Sequence, residues 1–425
     1  MKKKVLVFPC GSEIGLEIYN SVSHSIHFEL YGLSSVKDHG EFVYENYIDG
    51  IGHYNSDNFI DELKKIIERN KIDILYPTMD SVIAFLKYFE EELGIPVVGP
   101  SYEVAKICSS KLETYRLLGD KIRIPKQFSK NDKDLKFPLF VKPDIGYGSR
   151  NVLKINNIEQ LKNTDLEGLI LCEYLPGKEY TIDCFTDMNG DLLFIGARER
   201  SRTVNGISVN TKTSKTLTER FRAFAEIINS NVSFKGSWFF QLKLDSNGDA
   251  CLLEIACRFA GSSAVHRVKG INFALSNLFL TIGINPVFLI NDFDIESDRA
   301  LNNRFKLDVS YNTIFIDYDD TIIINGKVNL DAIQFIFQCL NNSKKVILIT
   351  KHKGDIFKSL EQFKLINLFN DVIHLAQNEE KTISIKEIGY KNAIFIDDSF
   401  EERRNVFQEL SIPVFGIDSI SSLLT

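Results

Sequence analysis

Phe239-Phe240-Gln241-Leu242-Lys243-Leu244-Asp245-Ser246-Asn247-Gly248-Asp249-Ala250-Cys251-Leu252-Leu253-Glu254-Ile255-Ala256-Cys257-Arg258 decides how this chain is read. Two apolar runs, Phe239 to Leu244 and Cys251 to Ile255, flank a polar stretch whose Asn247-Gly248 step is a strong hairpin turn. The spacing predicts an antiparallel hairpin with Gln241 and Glu254 on opposite arms and on the same face. Oxygen ligands presented from two positioned strands suit a hard divalent cation such as Mg2+. Arg258, two residues beyond Ala256, can stabilise charge on a transferring phosphoryl group or an acyl phosphate.

Upstream, Phe137 to Pro143 reads as a strand that presents Lys142, and Asp144-Ile145-Gly146-Tyr147-Gly148-Ser149-Arg150-Asn151-Val152 follows directly. The backbone amides of such a loop, around Gly146, Gly148 and Ser149, can close over the outer phosphates of a nucleotide while Lys111 and Lys142 neutralise the inner ones. No GxxxxGK[ST] occurs, and Gly11-Ser12-Glu13-Ile14-Gly15 is not GxGxxG, so neither a P-loop nor a dinucleotide fingerprint is present. Leu169-Ile170-Leu171-Cys172-Glu173-Tyr174-Leu175 reads as a hinge strand whose backbone can meet an adenine edge. Glu179, just past Pro176-Gly177-Lys178, can hold ribose hydroxyls.

In these motifs, with Ser110-Lys111 before a helix and Glu254 to Gly261, the chain from Met1 to about Asn291 resembles the ATP-grasp superfamily. It is similar in particular to the carbamoyl phosphate synthetase large subunit and related carboxylate–amine ligases. The resemblance implies a Rossmann-like domain before an ATP-grasp fold. It also implies that Lys111, Lys142, Glu173 and Glu179 bind ATP, that Gln241 and Glu254 bind Mg2+ (Mn2+ being the alternative), and that Arg258 serves phosphoryl transfer. The family usually has an asparagine ligand where this chain has Ala256, so a water would take that place on the second cation.

A carboxylate resists attack by an amine because its leaving group is oxide, whereas an acyl phosphate made from ATP has a good one. The arginine-rich segment Arg198 to Ser208 is either a solvated charged loop or hairpin, or closes on an anionic substrate. Gly11 either only turns the chain into a helix or opens a helix N-terminus to a carboxylate or phosphate, and Asp80 holds a similar rim position. His266 and Arg267 are further candidates.

A second constellation follows. Thr313 to Ile316 runs into Asp317-Tyr318-Asp319-Asp320-Thr321; Thr350 ends another strand, Lys381 opens a helix, and Asp397-Asp398 end a third strand. All would meet at the carboxyl ends of parallel strands. Asp317 can act as nucleophile and Asp319 as proton donor and then base, beside a cation held by acids. Over about Asn312 to Thr425 this order resembles the haloacid dehalogenase (HAD) superfamily of phosphatases. That resemblance makes Thr350 and Lys381 the phosphoryl holders, with Lys386 as the rival to Lys381, and places Mg2+ among Asp317, Asp319, Asp397 and Asp398. About 25 residues separate Asp320 from Val346, too few for a large cap domain.

At 425 residues the chain exceeds one ordinary core, and alternating strands and helices give way to longer hairpins and then to a second alternating stretch. The expected fold is α/β and α+β multidomain: 1–103 a Rossmann-like domain, 104–300 the ATP-grasp domain, 311–425 a HAD-like domain without a large cap, and a polar linker over 290–308. A net charge of −7 offers no basic field to nucleic acid. Val5 to Phe8 is too short for a secretory core, and Leu275 to Ile290 is too interrupted for a bilayer span, so the expectation is a cytoplasmic protein with no membrane partner. Seven scattered cysteines, without a CxxC pair, read as buried hydrophobes, Cys257 included.

Together these readings give a bifunctional enzyme. An ADP-forming carboxylate–amine ligase is joined to a Mg2+-dependent phosphatase acting on the ligation product or a substrate. The partners are small-molecule carboxylates and amines, one of which would carry a phosphomonoester, and a homodimer is compatible. The alternatives are an amino-acid or dipeptide ligase with an independent phosphatase, and a nucleotide sensor without turnover, which Ala256 motivates.

Overall fold

The computed structural model describes residues 2–146, 151–204, 206–301, 304–305 and 307–424, and divides into two compact units, Met1–Leu301 and Asn302–Thr425. The first unit opens with β1 (Lys3–Phe8), α1 (Glu13–Val22), β2 (Phe28–Leu33), β3 (Asn46–Ile48), α2 (Phe59–Asn70) and β4 (Ile74–Pro77). These strands form a parallel sheet in the order β3-β2-β1-β4, and the continuous apolar run of β1 is buried as a central parallel strand requires. Phe59, Leu63 and Ile67, four residues apart, give α2 one buried stripe.

The helical stretch after β4 is broken at Phe89 into α3 (Asp80–Tyr88) and α4 (Glu90–Leu93). Beyond them Val97 makes an isolated parallel bridge to Leu75, next to Pro96, which brings no N–H to a ladder. Next come α5 (Tyr102–Ser109), α6 (Lys111–Leu118), β5 (Leu139–Pro143), β6 (Leu153–Ile155), α7 (Ile158–Asn163) and β7 (Leu169–Glu173), whose strands form an antiparallel sheet ordered β6-β5-β7.

The remainder is β8 (Glu179–Thr186), β9 (Leu192–Val204), β10 (Ile207–Thr213), α8 (Lys215–Asn231), β11 (Gly236–Leu244), β12 (Ala250–Ala256), α9 (Ala264–Val268), α10 (Phe273–Thr281) and β13 (Glu296–Asp298). Its antiparallel sheet runs β12-β11-β8-β9-β10-β13. Strand side chains alternate between faces. Ile182, Cys184, Trp238, Phe240 and Leu242 therefore pack in one core with Phe221, Ala225 and Ile228 of α8. The opposite face carries a polar row, Glu254, Gln241, Thr181 and Arg198, each paired in register with the next. The hairpin read from Asn247-Gly248 is β11–β12, with Gln241 directly opposite Glu254.

Part of the expected linker is structured instead. Glu296–Asp298 adds to the free edge of β10, where Asn210 and Lys212 offer partners to its acids. The arginine-rich segment is the β9–β10 hairpin, and its Arg198 is buried against Asp183, Nε to Oδ2 at 2.6 Å. Asp183 also meets His266 Nε2 at 3.0 Å, in room left by Gly196, where a Cβ would lie 2.5 Å from the His266 ring. Burial alone would raise the Asp183 carboxyl, yet Arg198 and His266 hold it below the usual range.

The second unit contains β14 (Thr313–Ile316), β15 (Ile323–Ile324), β16 (Lys327–Val328), α11 (Leu330–Asn341), β17 (Lys345–Thr350), α12 (Ile356–Gln362), β18 (Asp371–His374), α13 (Lys381–Ile388), β19 (Ala393–Ile396), α14 (Phe400–Leu410) and β20 (Val414–Phe415). Five parallel strands run β18-β17-β14-β19-β20, with β14 central. Only the β15–β16 hairpin and α11 lie between β14 and β17. Among the described residues no helix is long and apolar enough to cross a membrane.

Because the Arg198–Asp183 pair is fully buried, Asp183→Ala should destabilise the first unit by roughly 3–5 kcal/mol. The sole tryptophan, Trp238, lies in β11, so the fluorescence-detected denaturant midpoint reports this unit specifically.

Candidate functional site

In the first unit the site begins where α6 starts. Ser110 caps this helix by accepting from the Glu113 N–H at 3.1 Å, and its hydroxyl donates to the Asp144 carboxylate at 3.0 Å. Asp144 also accepts from the Leu112 N–H at 2.8 Å, so the loop leaving β5 is tied to the helix that carries Lys111. Lys111 Nζ donates to the carbonyls of Asp144 (3.2 Å) and Gly146 (3.4 Å) and lies 3.7 Å from Glu254 Oε2. Lys142, on β5, donates to Tyr115 Oη at 2.6 Å and to the Leu253 carbonyl at 3.3 Å. Among the described residues no carboxylate pairs directly with it, and burial pushes its ammonium pKa down.

These residues line a cavity of about 210 Å3 together with Gly146, Glu173, Tyr174, Leu175, Glu179, Gln241 and Glu254, so the expected nucleotide residues meet in one place. Gly148 and Ser149 lie outside the described residues. Two of the carboxylates already have partners: Glu173 accepts from the Lys126 N–H at 3.0 Å, and Glu179 pairs with Arg200 and, at 3.3 Å, with Lys243.

A larger cavity of about 1030 Å3 shares Lys111, Gly146, Arg200, Gln241 and Glu254 with the first and extends to Arg258. Arg258 lines this larger space and not the smaller one, with Nε 3.0 Å and Nη2 2.8 Å from Asp80 Oδ2. Ala256 is buried against Phe239 and Ala260, so apolar packing occupies the position next to Glu254 on this face.

Several candidates are structural. His266 serves the buried Asp183, and Arg267 pairs with Glu17 at 2.8 Å, so neither lines these cavities. Gly11 is required by the close approach of Asp38, since a Cβ would lie 2.1 Å from its carboxyl carbon, and Ser12 caps α1 itself. The sequence reading missed Tyr115 and Asp144; the signal for them was the helix phase after Lys111 and the acid directly after Pro143.

In the second unit the carboxyl ends of β14, β17 and β19 hold Asp317, Thr350 and Asp397. Lys381, the first residue of α13, sits between two acids, Nζ 2.5 Å from Asp317 and 2.7 Å from Asp397. Burial, with Asp397 beside it, raises the Asp317 carboxyl above the usual range, and pairing raises Lys381 against the opposing effect of its own burial. Ligand atoms of Asp317, Asp397 and Asp398 lie within 4.8 Å of one another, a hard-oxygen set that fits a divalent cation. Thr350 is buried, and its hydroxyl has no partner among the described residues.

The Asp319 carboxylate, expected in the metal set, is not in this cluster. It turns to His352 Nδ1 at 2.9 Å, because the loop after β17 offers an imidazole there, and it is half exposed. Lys386 is a surface residue paired with Glu409 at 2.8 Å.

A family model described as "ATP-grasp in the biosynthetic pathway with Ter operon" matches residues 165–296. The chain is 28% identical over 159 residues to D-alanine–D-alanine ligase B of Clostridium perfringens, covering 31% of this chain and 52% of that protein. It thus spans about half the length of this curated relative. Among solved structures, the biotin carboxylase domain of Hydrogenobacter thermophilus 2-oxoglutarate carboxylase, in complex with MgADP, ADP and bicarbonate, is similar at TM-score 0.58 and 14% identity, covering 68% of this chain and 71% of that one. An L-amino acid ligase from Bacillus licheniformis is similar at 0.54 and 18% identity, with 67% and 75% covered. So is N5-carboxyaminoimidazole synthetase from Staphylococcus aureus complexed with ADP, at 0.54 and 17%, with 68% and 80% covered. About two-thirds of the chain thus has the ATP-grasp fold.

Lys381→Met leaves two buried carboxylates facing each other and should cost several kcal/mol of second-unit stability at neutral pH. Lys386→Met, which removes an exposed pair, should cost at most about 1 kcal/mol. Urea unfolding of the full chain, followed by far-UV circular dichroism, separates the two.

Proposed function

We propose that the chain is a bifunctional enzyme, an ADP-forming carboxylate–amine ligase joined to a HAD-type phosphatase. The observation that carries the first half is the meeting of Gln241 and Glu254, opposed on one polar sheet face, with Lys111 and Lys142 in a single cavity. In this reading Lys111 and Lys142 balance the inner phosphates of ATP, and the loop from Gly146 through Gly148 and Ser149 covers the outer ones. The segment Glu173-Tyr174-Leu175 faces adenine and Glu179 takes the ribose hydroxyls. Gln241 and Glu254 would hold Mg2+, or Mn2+ in its place, and their oxygen donors fit such an ion. Bound there, the cation would offset the negative charge of the phosphates. Ala256 adds no donor.

The substrate carboxylate attacks the γ-phosphorus, the bond to ADP breaks, and an acyl phosphate forms. The amine then attacks the acyl carbon, loses a proton and expels inorganic phosphate. Arg258, held by Asp80, balances the charge of the acyl phosphate oxygens.

In the second unit Asp317 attacks the phosphorus of a phosphomonoester, giving an aspartyl phosphate, while Asp319 protonates the departing oxygen and then takes a proton from the hydrolytic water. Thr350 and Lys381 hold the phosphoryl oxygens, and Asp317, Asp397 and Asp398 would hold Mg2+. The unpartnered, buried Thr350 hydroxyl favours this assignment, since a phosphoryl oxygen would satisfy it. The substrate of this unit is a phosphomonoester borne by the ligation product or by one of its precursors.

ADP release over a panel of acids and amines tests the ligase. Acceptor-dependent turnover is expected, and Glu254→Gln should lower it by on the order of 10²–10³. Nucleotide binding without such turnover would identify a sensor instead. Phosphate release from p-nitrophenyl phosphate should disappear in Asp317→Asn while ADP formation is unchanged. Mass spectrometry of the Asp317→Asn reaction should then find the ligation product still carrying its phosphate.

A further inference from the structure

The larger cavity has a pair of charges that the ligation scheme does not use. Beyond the residues it shares with the smaller cavity, its lining includes Glu13, at the start of α1, and Arg299, just past β13. Arg299 Nη1 donates to Glu13 Oε2 at 3.2 Å, with side-chain exposures of 33% and 39%. The backbone there is fixed: the Arg299 N–H donates to the Val209 carbonyl at 2.8 Å, and β13 is moored by Arg202 to Asp298 at 2.7 Å and by Lys212 to Glu296 at 3.0 Å. A Cβ on Gly261 would come within 2.4 Å of Glu13 Oε2, so the carboxylate is seated over a glycine. One turn further along α1, Glu17 and Arg267 form a comparable pair that does not line the cavity.

We propose that Glu13 and Arg299 recognise an ammonium and a carboxylate carried together, so that one ligase substrate is an amino acid that reacts through its side chain. The proposal rests on the ligase reading of the same cavity. A ligand bearing one charge gains one ion pair but gives up the existing one, leaving the other partner to solvent. A dipolar ligand exchanges like for like, its ammonium on Glu13 and its carboxylate on the guanidinium fork of Arg299. Neither residue lines the smaller cavity where Lys142 lies. Engaged by this pair, the ammonium and the carboxylate of the dipolar end are both committed to binding, so the reacting carboxylate or amine is the one at the end of the side chain. Arg299 sits at the end of the strap that the sequence alone read as linker, so specificity comes from a segment appended to the sheet.

The test is calorimetric binding to the full chain with Mg2+ and the non-hydrolysable analogue AMP-PNP present. L-Glutamate, L-aspartate, L-lysine and L-ornithine are compared with glutarate, succinate, 1,5-diaminopentane and 1,4-diaminobutane. At least one dipolar compound should bind at least about tenfold more tightly than its singly functional analogue. Glu13→Gln and Arg299→Met should each weaken it about tenfold or more, Arg299→Lys should retain part of the affinity, and Glu17→Gln should leave it unchanged. Equal binding of the analogues, no binding of any dipolar compound, or an equal loss in Glu17→Gln would overturn the proposal. Dipolar binding without ADP release from any acid–amine pair would instead sink the ligase reading and leave this one standing.

Discussion

Charge taken out of water has to be matched where it sits, and this constraint arranges both units. In the first, strand alternation sends apolar side chains towards α8 and leaves a polar face on which Arg198 has Asp183 and Lys111 has Glu254. Lys142 has only a phenol and a carbonyl, and its ammonium is correspondingly disfavoured. In the second unit the imbalance is reversed, with one lysine between two buried acids and a third acid alongside. The first pocket is short of negative charge and the second is short of positive charge. An anionic nucleotide answers the one and a divalent cation answers the other.

Exposure then sorts the ion pairs by what they can do. Arg198 and Asp183, each about 1% exposed, cannot separate without leaving an unmatched charge in the core, so their pair supports the sheet. Arg258 with Asp80 and Arg299 with Glu13 are partly solvated, where a pair holds only weakly and its members can change partners at modest cost. Both line the cavity of about 1030 Å3. A substrate entering that space meets arginines already held in position by acids, and can replace those acids without first ordering the side chains.

Much of this was legible in the sequence because hairpin geometry is local. Asn247-Gly248 fixes the turn and the register beside it, and a bulge between Gln241 and Leu242 then brings Gln241 opposite Glu254. The three motif strands of the second unit were equally plain, since continuous apolar runs end in acids. What escaped depends on distant partners. Arg198 and Arg200 look alike in the chain, yet one is matched by Asp183 in the core and the other by Glu179 at the cavity. The strand at Glu296 to Asp298 has no apolar pattern, because an edge strand held by exposed charges needs none. The turn of Asp319 towards His352 likewise depends on a loop that leaves a different strand.

The second unit carries its chemistry without enclosing what it acts on. The nucleophilic candidate Asp317 is 5% exposed at the end of β14, whereas the side chain of Asp319 is 51% exposed. Between β14 and β17 the unit inserts one small hairpin and one helix, so within this unit no cap encloses a leaving group. Under the proposed phosphatase reading, a site built this way would hold a phosphoryl group and leave the rest of the molecule in solvent, so its own contacts would discriminate weakly among phosphomonoesters. Selectivity must then come from supply. If the first unit is the ligase proposed above, covalent attachment would raise the local concentration of its product over competing esters without any added contact. On the proposed reading an open second site would follow from the fusion: the selecting would fall to the first unit, where the large charged cavity could read a substrate before ATP is spent.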